Sequence, residues 1–131
     1  MKLGQNWWEK GVNFQRESSF WNSDKLYKDI SRYLMGENVD FLKYEPNLSN
    51  LTEFEQAVLN EVRKVPYGMT VTYSELADRI GSSGGARAVG QALSKNPYPI
   101  VIPCHRVVAK NSVGGYGGGL GLKKKLLDIE Q

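Results

Sequence analysis

Two capping boxes, each followed by helix-ending residues, restrict the C-terminal part of this 131-residue chain to short helices. Residues 52–55 (Thr-Glu-Phe-Glu) and 72–75 (Thr-Tyr-Ser-Glu) each place a threonine three residues before a glutamate, so that each side chain can accept the other residue's backbone N–H. Apolar residues recur at helical spacing after the first box as far as Val65, and Pro66 and Gly68 then end that helix. Gly81 ends the helix that follows the second box. We therefore expect two short helices separated by a turn.

A third helix is predicted from about Ala86 to Lys95, between the turn at residues 82–85 and Asn96-Pro97. With the helix before it, it has the outline of a helix-turn-helix, although an ordinary helical hairpin has the same outline. The segment from Ala86 to Ala92 is unusually rich in small residues, with Arg87 as its long projection. Gly90 inside a helix costs about 1 kcal/mol relative to Ala, and close approach to a partner would be a reason for it.

The segment around the single cysteine predicts a β-hairpin. Residues 100–102 (Ile-Val-Ile) are expected to form one short strand, residues 103–105 a bend, and residues 106–108 the second strand. The glycine-rich residues 114–119 predict a flexible loop. A last helix is expected from about Leu120 to Ile129, with Leu122, Leu126 and Ile129 inward and Lys123 to Lys125 mostly outward.

The first third of the chain is less regular. Trp7-Trp8 is expected in a core or at an edge, and residues 12–14 have the alternation of a short strand. A helix capped by Ser23 or Asp24 should stop at Gly36. Residues 37–50 have the composition of a linker, so we place a domain boundary between residues 1–49 and residues 50–131.

Charge is distributed unevenly along the chain. No Asp or Glu occurs from Arg79 to Leu127, a stretch that contains eight Lys and Arg residues. A solvated basic face and a phosphate-binding surface both fit this pattern. No apolar run is long enough to span a membrane, and the N-terminus lacks the apolar core of a signal peptide.

The only cysteine and the only histidine are neighbours, Cys104 and His105. A lone cysteine cannot form an internal disulfide, which fits the reducing cytoplasm, and one Cys with one His excludes a usual zinc site. Most lone cysteines are buried and inert, but the adjacent imidazole and the cationic surroundings favour a reactive thiol. The imidazole would need an orienting acceptor, for which Asp128 and Glu130 are the nearest acids in sequence.

Residues 102–107, Ile-Pro-Cys-His-Arg-Val, resemble the active-site signature of the O6-alkylguanine-DNA alkyltransferases. The resemblance continues in order over about residues 52–131. It includes residues 71–76 (Val-Thr-Tyr-Ser-Glu-Leu), residues 86–90 (Ala-Arg-Ala-Val-Gly), Asn96-Pro97, the glycine loop from Gly114 to Leu120, and Glu130.

The resemblance implies a direct-reversal repair reaction. The thiolate of Cys104 would take the alkyl group from guanine O6 and keep it as a thioether, so that each molecule reacts once and needs no cofactor. His105 would act as a base through a water and would be held by Glu130. Tyr73 would donate to purine N3, and Asn96 would brace the turn between the recognition helix and the active-site strand.

The resemblance also implies double-stranded DNA as the partner, entered through the minor groove with the damaged base flipped out and Arg87 in its place. The other DNA contacts would come from Thr72, Ser74, Ala86, Ala88, Gly90 and Lys110, and the alkyl pocket from Pro99, Tyr116 and Gly118. Gly117 replaces a hydroxyl residue that many members carry, so the backbone would bond guanine O6 there.

The expected fold is α+β: a mainly helical C-terminal domain with a helix-turn-helix and a short hairpin. Family members usually have a longer N-terminal domain, so residues 1–49 would be a reduced α/β version. We expect a cytoplasmic monomer. Three alternatives are a lesion binder that flips the base without repairing it, a plain helix-turn-helix DNA-binding protein with a structural Cys104, and a cysteine hydrolase. Lesion binders of that kind replace the cysteine, and no oxyanion-hole motif supports the hydrolase.

Overall fold

A computed structural model describes residues 24–112, 114 and 119–131. The predictions for Trp7-Trp8, for residues 12–14 and for Tyr116, Gly117 and Gly118 lie outside the described residues. In chain order the elements are helix α1 (Asp24–Leu34), a 3-10 turn (Phe41–Lys43), helix α2 (Glu53–Val62), strand β1 (Val71–Thr72), helix α3 (Tyr73–Arg79), helix α4 (Ala86–Leu93), a second 3-10 turn (Cys104–Arg106), strand β2 (Val107–Val108) and helix α5 (Leu120–Ile129).

Both predicted capping boxes are present. The Thr52 hydroxyl accepts the backbone N–H of Glu55 at 3.1 Å, and the Glu55 carboxylate accepts that of Thr52 at 3.0 Å. The same exchange joins Thr72 and Glu75 at 3.0 and 2.8 Å. Each box satisfies N–H groups that the first turn of a helix leaves without partners. Helices α2, α3 and α4 pack against one another, and α3 and α4 have the helix-turn-helix order.

The predicted β-hairpin around the cysteine is wrong. β2 pairs with β1 in parallel, Val71 opposite Val107 and Thr72 opposite Val108, so the two strands are not sequence neighbours. Residues 100–102 form a tight turn instead of a strand, because the backbone N–H of Ile102 donates to the carbonyl of Tyr98 at 2.9 Å. Ile100 takes the left-handed conformation, φ 73°, which costs a β-branched residue about 1–2 kcal/mol. The small parallel pair places the cysteine turn beside the start of α3.

Residues 37–50, predicted as a linker, contribute to the core. Val39, Phe41, Tyr44 and Leu48 are buried in the same apolar cluster as residues of α1, α2 and α5. The buried Asp29 of α1 accepts the Tyr44 hydroxyl at 2.6 Å, which fastens this segment to the helix. Side chains from both sides of the predicted boundary at residue 50 therefore share one core.

Helices α1 and α3 end close to the glycines at which the sequence predicts them to end. Gly36 and Gly81 have φ of 99° and 75°, the left-handed conformation that L-residues with a Cβ adopt at a cost. α5 spans the predicted residues, and Leu122 and Leu126 are buried. Among the described residues no helix is both long enough and apolar enough to cross a bilayer. The described fold is α+β, dominated by helices.

Candidate active site and nucleic-acid interface

Cys104 begins the second 3-10 turn, and the side chain of Asn96 holds it in place. The Asn96 amide Nδ2 donates to Cys104 Sγ at 3.1 Å and to the carbonyl of Ile102 at 2.9 Å, and its Oδ1 accepts the backbone N–H of Tyr98 at 2.9 Å. Asn96 lies just beyond the end of α4. One side chain thus connects the end of α4 to the cysteine, and an N–H aimed at sulfur stabilises the thiolate form.

His105 is fully buried, and its Nε2 lies 2.7 Å from Glu130 Oε2. Because Nε2 faces an ionised carboxylate, it carries the ring proton, which leaves a lone pair on Nδ1. Nδ1 is buried and has no hydrogen-bond partner among the described residues. Burial lowers the pKa of His105, and the hydrogen bond and charge of Glu130 act in the opposite direction. The His105 ring is therefore neutral, and its Nδ1 lone pair can accept a proton.

Glu130 is the most heavily hydrogen-bonded carboxylate of the site. Arg106 Nε reaches its two oxygens at 2.9 and 3.2 Å, and the backbone N–H of Gly68 reaches Oε1 at 2.9 Å. The hydroxyl of Tyr33, from α1, donates to Oε2. Burial raises the pKa of Glu130, but the hydrogen bonds from His105, Arg106, Tyr33 and Gly68 outweigh it and lower the pKa to about 2. Glu130 is therefore an anion at neutral pH.

Lys123 does not point outward, as the sequence suggested, but is fully buried. Its Nζ donates to the carbonyl of Val107 at 2.6 Å and lies 5.7 Å from the centre of the Tyr73 ring. Burial lowers the pKa of Lys123 to about 8, against the attraction of Cys104, which raises it. A cation near a thiol favours the thiolate. The sequence spacing could have predicted this burial, because Lys123 lies three residues before the buried Leu126 and hence on the same helix face.

Tyr73 is the first residue of α3, and its ring meets the backbone of Gly114. A Cβ at Gly114 would lie 2.7 Å from the Tyr73 hydroxyl oxygen, and Gly114 has φ 75°. Only glycine satisfies both conditions without strain. A Cβ at Gly90 of α4 would lie 3.9 Å from the same ring, so Tyr73 stands between α4 and the chain after β2.

The solvent face of α4 carries two of the residues predicted to contact DNA. Arg87 and Ala88 are exposed, whereas Val89, Ala92 and Leu93 on the opposite face are buried. Of the other residues predicted to bind, Ser74 and Lys110 are exposed, and Thr72, Ala86, Gly90 and Pro99 are partly buried. The Thr72 hydroxyl is engaged in the capping box. This surface contains one long cation on a helix face of small residues, which allows a close backbone approach.

The fold and the site together define a class of protein, in which one asparagine joins a helix-turn-helix unit to a cysteine that precedes a buried His–Glu pair. The family model for the DNA-binding domain of 6-O-methylguanine DNA methyltransferase matches residues 53–131. The chain belongs to this family. Relatives and solved structures agree with that assignment.

Among curated relatives, the methylated-DNA--protein-cysteine methyltransferase of Metallosphaera sedula is 49% identical over 105 residues, 80% of this chain and 65% of that protein. Among solved structures, Mycobacterium tuberculosis OGT in complex with DNA matches with a TM-score of 0.72 at 39% identity, over 80% of this chain and 63% of that one. An O6-methylguanine DNA methyltransferase from Methanococcus jannaschii matches over 96% of this chain and 76% of its own, with a TM-score of 0.63 at 34% identity. The chain thus spans somewhat less than two thirds of the length of the first of these relatives.

Proposed function

We propose that this protein repairs DNA by transferring the alkyl group of O6-alkylguanine to Cys104 in a single turnover. The observation that carries the proposal is the arrangement at Cys104: its sulfur accepts an N–H from Asn96, and the next residue is a buried His105 bound to Glu130 with Nδ1 unpartnered among the described residues. A nucleophile, a base and a group that orients the base are the parts that an activated thiol requires.

The chemical step is a displacement at the alkyl carbon. A bond forms between sulfur and carbon, the bond from carbon to guanine O6 breaks, and its electron pair stays on the purine. The thiol proton passes through a water to His105 Nδ1, which Glu130 keeps available by holding Nε2–H. Tyr73 donates its hydroxyl proton to purine N3, so that guanine leaves neutral, and the Tyr73 phenolate then regains a proton from solvent. The thioether is stable, so the protein is consumed, and no cofactor takes part.

Double-stranded DNA is the proposed partner. α4 would enter the minor groove, and Arg87 would fill the space of the flipped nucleotide. Thr72, Ser74, Ala86, Ala88, Gly90 and Lys110 would add contacts, and Pro99, Tyr116 and Gly118 would line the alkyl pocket. The protein would act as a cytoplasmic monomer, with residues 50–131 as the alkyltransferase domain and residues 1–49 as a reduced α/β part whose residues 39–48 pack into the same core.

The test is a mass measurement on protein mixed with a duplex that contains one O6-methylguanine. We expect the protein to gain one CH2 (a methyl group in place of the thiol hydrogen) and the duplex to regain guanine. Cys104→Ser and a duplex with unmodified guanine are the controls, and neither should give an adduct. Retained binding to the damaged duplex without an adduct would refute alkyl transfer in favour of a lesion binder.

Arg87→Ala tests the proposed DNA interface, with Lys95→Ala as its control. Both residues are exposed cations, but Lys95 lies beyond the C-terminal end of α4. Arg87→Ala should slow transfer to the duplex at least tenfold while leaving the alkylation of Cys104 by a small soluble electrophile unchanged. Lys95→Ala should change binding only slightly, through its charge. Equal transfer rates for both variants would show that Arg87 does not enter the DNA duplex in place of the flipped nucleotide.

A further inference from the structure

We infer that Tyr33, which lies outside the matched region of residues 53–131, is a positioning residue for the active-site base His105. The inference rests on the proposed function for its role in alkyl transfer. Tyr33 lies in α1, more than seventy positions before His105, and is 1% exposed. Its ring packs edge-on against Phe41 and Tyr67, with centroids 6.0 and 6.2 Å apart. The ring is thereby fixed with its hydroxyl at the His–Glu pair.

The Tyr33 hydroxyl touches both members of that pair. It donates to Glu130 Oε2 at 2.5 Å, and its oxygen lies 3.1 Å from His105 Nε2. Glu130 Oε2 is also the atom that His105 Nε2 approaches at 2.7 Å. An ionised carboxylate can only accept, so the single Tyr33 proton points to Glu130 and the Tyr33 lone pairs face Nε2–H. The three groups close a triangle that fixes the imidazole plane and the proton on Nε2.

Tyr33 also weakens the electrostatic attraction between the Glu130 carboxylate and a proton on the His105 ring. Oε2 already accepts hydrogen bonds from His105 and from Nε and Nη2 of Arg106. The Tyr33 hydroxyl adds a further donor that spreads the carboxylate charge, so Glu130 attracts a proton on His105 less strongly. The charged and titratable groups acting on His105 are Tyr33 from α1, Glu130 and Lys123 from the C-terminal segment, and Arg106 from its own turn. Loss of the hydroxyl would leave Glu130 with more unshared charge and would raise the pKa of His105. It would also free the ring to tilt.

The test uses Tyr33→Phe, with Tyr44→Phe as the matched control. Tyr44 is also a buried tyrosine from the N-terminal part, and its hydroxyl donates to another buried carboxylate, Asp29, at 2.6 Å. Both variants lose one oxygen and one charge-assisted hydrogen bond, so their losses of stability should be similar. Because His105 is the only histidine, its ring nitrogen NMR signals need no assignment and report its tautomer and titration directly.

Tyr33→Phe should shift the titration of His105 to higher pH and lower the rate of alkyl transfer roughly tenfold, since a base displaced by a fraction of an ångström loses much of its effect. Tyr44→Phe should change neither. A His105 titration and a transfer rate in Tyr33→Phe that match those of Tyr44→Phe would overturn the inference. If wild-type protein transfers no alkyl group, the proposed function fails, but the titration still decides the role of Tyr33.

The wild-type protein offers a measurement that needs no stable variant. The Tyr33 hydroxyl proton should exchange slowly with water and show a nuclear Overhauser contact to the proton on His105 Nε2. A ring proton located on Nδ1, or a Tyr33 hydroxyl in fast exchange with water, would overturn the inference even if Tyr33→Phe failed to fold.

Discussion

Glu130 should make the stability of this protein sensitive to acid in a defined pH range. In the folded state its pKa is lowered from 4.5 to about 2, so the folded protein holds fewer protons at this carboxyl than the unfolded chain does. The stabilisation is complete above about pH 4.5 and is lost as the pH falls through about 2. The lowering corresponds to about 3 kcal/mol of unfolding free energy. Glu130→Gln removes that contribution at every pH.

At pH 7 the substitution should cost about 3–5 kcal/mol, because it also leaves the buried guanidinium of Arg106 without its anion. Urea denaturation at several pH values between 7 and 2 measures both effects. The two proteins should differ most at neutral pH and converge in acid. Asp128→Asn, the same change at an exposed acid two residues earlier, is the control and should leave the curve close to wild type. Parallel curves for wild type and Glu130→Gln would show that ionisation of Glu130 does not stabilise the fold.

Three further substitutions test other contacts of the site. Asn96→Ala should cost about 1–3 kcal/mol of stability and slow the reaction of Cys104 with iodoacetamide, because it removes the hydrogen bonds that hold the cysteine turn. Gly114→Ala should cost about 1–3 kcal/mol in thermal unfolding, because its Cβ would lie 2.7 Å from a tyrosine oxygen and its φ is positive. Lys123→Met should slow iodoacetamide labelling at pH 7, and the difference from wild type should shrink above about pH 8, where the lysine loses its proton.

Each of these predictions has a matched control in the chain. Asn60→Ala removes an exposed amide on α2 and should leave cysteine labelling unchanged. Gly84→Ala has a similarly positive φ, 83°, but no atom within 4 Å of the new Cβ, so it should cost less than Gly114→Ala. Lys124→Met removes the neighbouring exposed lysine. Any variant that behaves like its control would contradict the contact assigned to it.

Local signals in the sequence predicted the helices well. The boxes at Thr52 and Thr72 form because both partners lie within one helical turn and need no tertiary contact. The stops at Gly36 and Gly81 follow likewise from the backbone freedom of glycine. The resemblance, rather than spacing, pointed to Glu130 as the partner of His105, and the structure places the two side chains together.

Contacts between distant segments could not be predicted in the same way. The pattern Ile-Val-Ile at residues 100–102 favours a strand. The chain curls into a turn instead, because the Asn96 amide donates to the Ile102 carbonyl and the Ile102 N–H donates to the Tyr98 carbonyl. β2 consequently pairs with β1 and not with residues 100–102. Tyr33 carries no local sign that its hydroxyl reaches His105, because that contact exists only after α1 packs on the core.

The stoichiometry of methyl transfer distinguishes a protein that accepts one alkyl group on Cys104 from an enzyme that turns over. Protein at fixed concentration is titrated with a growing excess of duplex containing O6-methylguanine, and the adduct is then counted by intact mass and located by peptide mapping. We expect a plateau at one methyl group per chain, all of it on Cys104. Repaired guanine that continues to accumulate beyond one per protein, or a methyl group on any other residue, would contradict it.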